Sequence, residues 1–120
     1  MAAHEAAVLI EDGETVSTNI LELVNKTLVG LSIPATFEGT AITFQAGVSG
    51  TARDMHLDAS TGSFFPVRDA SGNVVTLTVA ASRHVTLSAD QLRGVMWLKL
   101  VAGTAQTGDC TITAVLEPRN

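Results

Sequence analysis

The chain has few cysteine, aromatic, proline and charged residues. Its 120 residues include no tyrosine, one tryptophan, one cysteine and three prolines, and only 16% are charged. The single Cys110 excludes an internal disulfide framework and a zinc site built on cysteines. Because soluble domains usually carry about 25% charged residues, the surface must be largely neutral, rich in Thr, Ser, Ala and Gly, which suits a sheet surface or one shared between subunits.

Positive charge and long apolar runs are also scarce. Seven Lys and Arg stand against twelve Asp and Glu, the net charge is −5, and no basic run occurs. Nucleic acids and anionic membrane surfaces both attract clustered positive charge, so neither is an expected partner. No segment approaches the roughly 20 apolar residues of a membrane span, and no signal-peptide pattern opens the chain. We therefore expect synthesis in a reducing cytoplasm and no membrane association.

Short segments with a two-residue alternation dominate the sequence. Such alternation is typical of half-buried strands, and turn residues separate the segments at intervals of about ten residues. The inward positions are Val29, Leu31 and Ile33, then Ile42, Phe44 and Ala46, then Val75, Leu77 and Val79, then Cys110, Ile112, Ala114 and Leu116. Eight to nine strands with almost no helix predict an all-β fold, an antiparallel β-sandwich or jelly roll in a single domain.

The N-terminal residues 1–14 are assigned separately from the β-sandwich domain at residues 15–120. Their apolar run is Val8, Leu9 and Ile10, and a polar turn follows it. This segment forms either the first strand of the domain or an arm that docks on another subunit by adding a strand to an exposed edge. Residues 16–24 are read as a further strand, although their apolar positions fit no single period.

The segment that holds Trp97 is apolar on both faces when it is drawn as a strand. One row contains Met96, Leu98 and Leu100, and the other contains Val95, Trp97, Lys99 and Val101. A small single domain has little to cover a second apolar row, so we predict an oligomer interface on the row of Trp97. Trp97 itself has three interpretations: a subunit contact, a side chain covered by loops of its own chain, or a platform for stacking sugars.

The sequence contains only weak patterns of metal-binding or catalytic residues. Alternation places Asp54, His56 and Asp58 on one strand face, where they are weak candidates for a transition-metal site; the alternative is an ordinary polar outer face. No nucleophile elbow and no glycine-rich phosphate loop occur. Cys110 is expected to be a small buried hydrophobe. We expect a protein that is not an enzyme and uses no cofactor.

Five segments carry a resemblance to a known group of proteins. They are Leu28–Ala35, Ala41–Gln45, Ala81–Leu87, Trp97–Thr104 and Cys110–Leu116. From about Thr27 onward, the chain resembles the small β-sandwich structural proteins of tailed bacteriophages that are described as virion, decoration or cement proteins. The loop from Gly103 to Asp109 looks shorter than in that group.

The resemblance implies a place on the virion, at the capsid surface, with the major capsid protein as partner. Such proteins commonly sit as homotrimers at symmetry axes or between capsomers and brace the shell against the pressure of internal DNA. Others of similar fold belong to head fibres or tails, so a glycan- or receptor-binding module is the alternative function. An N-terminal arm would then reach the shell or a sister subunit. The group has no catalytic motif, so the resemblance assigns no site residues.

Overall fold

The computed structural model describes residues 4–23, 25–47, 64–88, 91–92 and 94–118. Strands in these ranges are β1 (His4–Ile10), β2 (Leu21–Glu22), β3 (Lys26–Ile33), β4 (Ala41–Gly47), β5 (Phe64–Pro66), β6 (Thr76–Thr78), β7 (Arg83–Thr86), β8 (Trp97–Ala102) and β9 (Cys110–Pro118). The described residues contain no helix, and accordingly none that could cross a membrane.

Two antiparallel sheets pack face to face. The four-stranded sheet has the order β1-β9-β3-β7, and the five-stranded sheet has the order β2-β8-β4-β5, with β6 also paired to β4. Each strand is too short to bury its apolar side alone, so the two sheets cover each other's inner faces. The predicted all-β class and the antiparallel β-sandwich are confirmed.

The core lies between the two sheets and follows the alternation of the strands. Strands β4, β8 and β9 each contribute alternate side chains that water does not reach, because neighbouring residues point to opposite faces. The fully enclosed members are Val8, Ile10, Leu31, Ile42, Leu98, Leu100, Cys110, Ile112 and Ala114. A bulge between Leu28 and Gly30 shifts the register of β3 against β9, so that Leu28 and Leu31 both face the core.

Residues 4–10 form a strand of the domain itself, which is one of the two alternatives given for the N-terminal segment. β1 pairs with β9 along seven residues, from His4 opposite Leu116 to Ile10 opposite Cys110. Val8 and Ile10 are 0% exposed. The side chains of Val8 and Ile10 belong to the core between the sheets. They therefore cannot contact another molecule while the domain is folded.

Residues 15–22 run along β8 but leave it part-way. Val16 bridges to Val101 at one end, and Leu21 and Glu22 pair with β8 at the other. Between them, the backbone turns toward β1 of the other sheet, where Thr18 N–H donates to Leu9 O over 2.8 Å. The apolar positions of residues 16–23 fit no single period because these residues lie in the sheet only at Val16 and at Leu21–Glu22.

The approach to β8 departs from the predicted alternation. Gly94 has a φ of +88°, and Val95 N–H donates to Leu92 O in a turn, so regular pairing starts only at Trp97. Val95 consequently packs into the core cluster, and Met96, which the alternation places in one row with the buried Leu98 and Leu100, is 51% exposed. Val95 thus does not share the face of Trp97, Lys99 and Val101.

Candidate interaction surfaces

Trp97 lies on the outer face of the five-stranded sheet, in a row that crosses four strands. The row consists of Glu22 on β2, Trp97 on β8, Gly47 on β4 and Phe64 on β5, which are paired in succession. Directly paired residues project to the same face of an antiparallel sheet. Trp97 is only 7% exposed, yet it lies outside the main core cluster. Its indole is therefore covered on the outside of the sandwich.

Gly47 makes room for the aromatic pair. A Cβ placed on Gly47 would lie 3.0 Å from Phe64 Cε2 and 3.1 Å from Trp97 Cβ. Glycine therefore lets the Phe64 ring lie across β4 and reach toward β8. The Lys99 ammonium stands 4.2 Å from the centre of the same ring, a cation–π contact that adds to the packing on this face.

The four residues predicted as an oligomer interface separate into two pairs. Val95 and Trp97 are buried within a single chain, so their burial requires no second copy. Lys99 and Val101 are half-buried and face outward. A contact between copies at Lys99 and Val101 stays a prediction. The outer face has fewer uncovered apolar side chains than the sequence indicates, because Val95 and Trp97 are buried within one chain.

The predicted contact residues of an arm, Val8, Leu9 and Ile10, lie in β1. Leu9 alone faces outward, and the outer edge of β1 beside it is occupied. Asn19 Oδ1 accepts from Leu9 N–H at 2.9 Å, while Asn19 Nδ2 donates to Ala7 O at 2.8 Å. Asn19 thus supplies the paired donor and acceptor of a neighbouring strand. An edge satisfied in this way does not offer itself for strand addition.

The outer face of the four-stranded sheet carries small, uncharged side chains. Two rows define it: one runs from Ala7 to His84 and the other from Glu5 to Thr86. The two middle strands contribute Thr111, Thr113, Val115, Gly30 and Ser32 to this face. Charged side chains stand around this central area, at Glu5 on β1 and at Glu117 near the end of β9. The low charged fraction of the sequence predicts such a surface, but no local motif shows which face would have it.

His84 lies flat on this face beside Ser32. Its Nδ1 is 2.7 Å from Ser32 Oγ, and a Cβ on Gly30 would come within 2.9 Å of its Nε2. The imidazole therefore covers Gly30 and leans over β3. His84 also contributes to the lining of a groove at this edge of the sheet. Because Ser32 and His84 are directly paired residues of β3 and β7, we interpret their hydrogen bond as a cross-strand contact.

No match to a protein-family model or to a curated protein was found. Among solved structures, the chain is similar to one from Bacillus endospore appendages, a family of disulfide-linked pili, at 11% identity and a TM-score of 0.43. The similarity covers 99% of this chain and 88% of that one. At this TM-score, we draw no inference from it.

The candidate metal ligands Asp54, His56 and Asp58 lie outside the described residues. Within residues 4–23, 25–47, 64–88, 91–92 and 94–118, no group of three or more His, Cys, Asp or Glu side chains could hold a metal ion. Metal binding at Asp54, His56 and Asp58 stays a prediction, and the described residues offer no other candidate site.

The pKa values of Cys110 and Glu38 depart from their ordinary values, and a threonine hydrogen-bonds to each side chain. Burial raises the pKa of the Cys110 thiol, with a smaller opposing effect of a hydrogen bond to Thr36. The Thr107 hydroxyl, followed by the Thr107 backbone N–H, lowers the pKa of Glu38. Cys110 is fully enclosed, as expected of a small hydrophobe. Glu38 and Thr107 join two loops at one end of the sandwich, which is a structural role.

Proposed function

We propose that the chain is a non-enzymatic structural protein of a bacteriophage virion that binds the outer surface of the capsid, as decoration and cement proteins do. The observation that carries the proposal is the outer face of the four-stranded sheet, whose middle strands present the uncharged residues Thr111, Thr113, Val115, Gly30 and Ser32 between the charged residues at the strand ends. The resemblance of the segments from Leu28 onward points to the same class of protein.

An uncharged face of small residues suits repeated docking on a protein shell. Covering such a face costs little free energy of desolvation, because no charged group has to leave water. Side chains such as Thr113 and Ser32 still offer hydroxyl groups for hydrogen bonds at the contact. On a symmetric lattice, many modest contacts hold firmly when copies are linked. The homotrimer that the resemblance implies, and the major capsid protein as partner, belong to this proposal.

The test uses undecorated capsid shells of the phage that encodes the chain. Purified chain is mixed with the shells, which are pelleted, and the bound chain is counted per capsid protein subunit. We expect saturable binding at a stoichiometry set by the shell's symmetry. Chain that stays in the supernatant at every concentration would contradict the proposal.

A pair of matched variants locates the contact. Thr113→Glu introduces a charge in the middle of the uncharged face, whereas Thr78→Glu introduces the same charge on the exposed strand β6 of the other sheet. We expect Thr113→Glu to weaken shell binding at least about tenfold, as burial of an unpaired charge would, and Thr78→Glu to bind normally. Equal binding of both variants would move the contact to another surface.

The glycan-binding alternative depended on Trp97. Stacking of a sugar requires an accessible aromatic face, and Trp97 is 7% exposed. No described feature favours that function over attachment to a shell.

A further inference from the structure

The two sides of the sandwich are built differently. On one side, the segment that contains Thr18 and Asn19 connects β8 with the edge of β1 and closes the gap between the sheets. On the other side, the four-stranded sheet ends at β7 and β6 lies at the margin of the five-stranded sheet. A groove of about 400 Å³ follows this margin, with Thr78, Val79 and Val85 in its lining.

The free edge of β7 exposes backbone groups of two residues. Leu87 N–H donates to Val29 O over 3.0 Å, and the alternation of an antiparallel ladder then turns Arg83 and Val85 toward β3. His84 and Thr86 accordingly direct their N–H and C=O groups away from the sheet. Within the described part of the chain, no backbone hydrogen bond reaches these groups from outside. They form a template for another strand.

The side chains of β7 leave most of this edge uncovered, although Arg83 stands at its start. Charged side chains commonly protect an edge strand, but the imidazole of His84 lies back over Gly30 and contacts Ser32 instead of standing at the margin. The absent side chain at Gly30 is what permits this position. Val85 is half-buried and Thr86 is exposed, so the edge combines an apolar and a neutral residue beside one cation, Arg83.

We propose that β7 pairs antiparallel with β7 of a second copy of this chain, about a two-fold axis through Val85. In this register, His84 of each copy lies opposite Thr86 of the partner subunit, so the outward N–H and C=O groups pair. Val85 meets its own counterpart on the side of the groove. Arg83 lies opposite Leu87 of the partner subunit, so no two like charges face each other.

A second copy fits better than an unrelated strand because β7 is complementary to itself in this register. The opposite edge of the same sheet, at β1, is occupied by Asn19. Pairing through β7 about a two-fold axis therefore joins two sheets into one and uses the β7 edge of both copies. The association through this edge is closed at two chains. If the chain is a trimer through other contacts, the same pairing joins two trimers.

The first test changes one backbone donor on each edge. Thr86→Pro removes an outward N–H that β7 does not use within its own sheet, and Glu5→Pro does the same on the opposite edge of the sheet, at β1. Masses are measured by sedimentation velocity from micromolar to millimolar concentration, and the fold is checked by circular dichroism. We expect the wild-type mass to double with concentration, the Thr86→Pro dimer to be at least about tenfold weaker, and Glu5→Pro to behave as the wild type.

A second test addresses the axis and does not depend on proline. Val85→Lys and Val85→Glu each place two like charges at the two-fold axis, so each variant alone should dimerise more weakly than the wild type. An equimolar mixture should associate again, because a lysine then meets a glutamate. Only pairing in which position 85 faces itself gives this recovery.

The exchange of single amides supplies the third readout. The amides of His84 and Thr86 should exchange more slowly as concentration rises, whereas that of Glu5 should not change. A wild-type mass that stays constant over the whole range, an association that Thr86→Pro leaves unaltered, or a mixture of the position-85 variants that does not recover would each overturn the proposal. Shell binding by a chain that does not dimerise would leave the proposed function intact.

Discussion

The ring of Phe64 occupies the space above Gly47 that a side chain at position 47 would need. Phe64 Cε2 would stand 3.0 Å from a Cβ on Gly47, closer than packed carbon atoms approach. The position of this ring, which also contacts the Lys99 ammonium of β8, thus depends on the absence of a side chain in β4. Gly47 is also directly paired with Trp97, which is 7% exposed without a second chain.

The first prediction concerns this gap. Gly47→Ala should lower the free energy of unfolding by about 1–3 kcal/mol, because the added methyl group meets Phe64 and the Cβ of Trp97. Gly103→Ala is the matched control, since its Cβ would stand 3.7 Å from the nearest atom. Urea unfolding measures both variants. Equal stability of the two would show that the Phe64 ring moves away at no cost.

The second prediction separates packing from assembly at Trp97. Because Trp97 is covered within one chain, Trp97→Ala should destabilise the fold by about 3 kcal/mol and leave the mass in solution unchanged. Phe65→Ala is the control, since Phe65 is 54% exposed. Thermal unfolding and light scattering give the two readouts. A lower mass with an unaltered melting temperature would restore Trp97 to an interface between copies.

The alternation of single strands was predictable from the sequence, since β4 and β9 each bury the residues that a two-residue period selects. Ile42 and Phe44 in β4, and Ile112 and Ala114 in β9, all lie in the core. Such alternation is a local property that each strand carries without knowledge of its partner. It was therefore sufficient for the fold class and for most of the core.

The remaining features depend on contacts between distant residues. Met96 is exposed because the turn at Gly94 resets the alternation one residue before β8 begins. Asn19 occupies the edge of β1 through hydrogen bonds that span ten and twelve residues. A local period does not show at which residue a turn resets the alternation, nor which strand edge an asparagine side chain reaches, and both decide which surfaces remain available. The open edge at β7 was missed for the same reason.

The third prediction tests whether residues 4–10 belong to the core. Ile10→Ala should cost about 2–5 kcal/mol, because a large side chain with no exposure leaves a cavity. Leu9→Ala, one position away on the outer face, should cost much less. Both are measured by chemical denaturation of the full chain. Similar losses for the two variants would mean that this segment does not alternate between core and solvent.

The fourth prediction concerns the occupied edge of β1. Asn19→Ala removes both hydrogen bonds to that strand and should lower stability by about 1–2 kcal/mol. Asn19→Asp keeps an acceptor for Leu9 N–H but places a carboxylate oxygen, which cannot donate, near Ala7 O, so it should also lower the free energy of unfolding. Hydrogen exchange of the Leu9 amide should accelerate in the alanine variant and less in the aspartate variant. An unchanged Leu9 amide would show that Asn19 does not protect the edge.

The last prediction follows from the buried thiol of Cys110. Its pKa in the folded chain is raised above the ordinary value of 9.0, chiefly by burial. Below that pH, the folded and unfolded chains both hold the proton, and the thiol does not affect the pH dependence of stability. Above it, the unfolded chain releases its proton first, so the free energy of unfolding falls as pH rises toward the folded pKa.

Cys110→Ala isolates this effect, because it removes the thiol and keeps a small apolar side chain at the position. The difference in unfolding free energy between the wild type and this variant is measured by urea titration from pH 7 to alkaline pH. We expect that difference to be constant below about pH 9 and to shift against the wild type above it. A difference that stays flat to high pH would mean that the folded chain ionises its thiol as readily as the unfolded one.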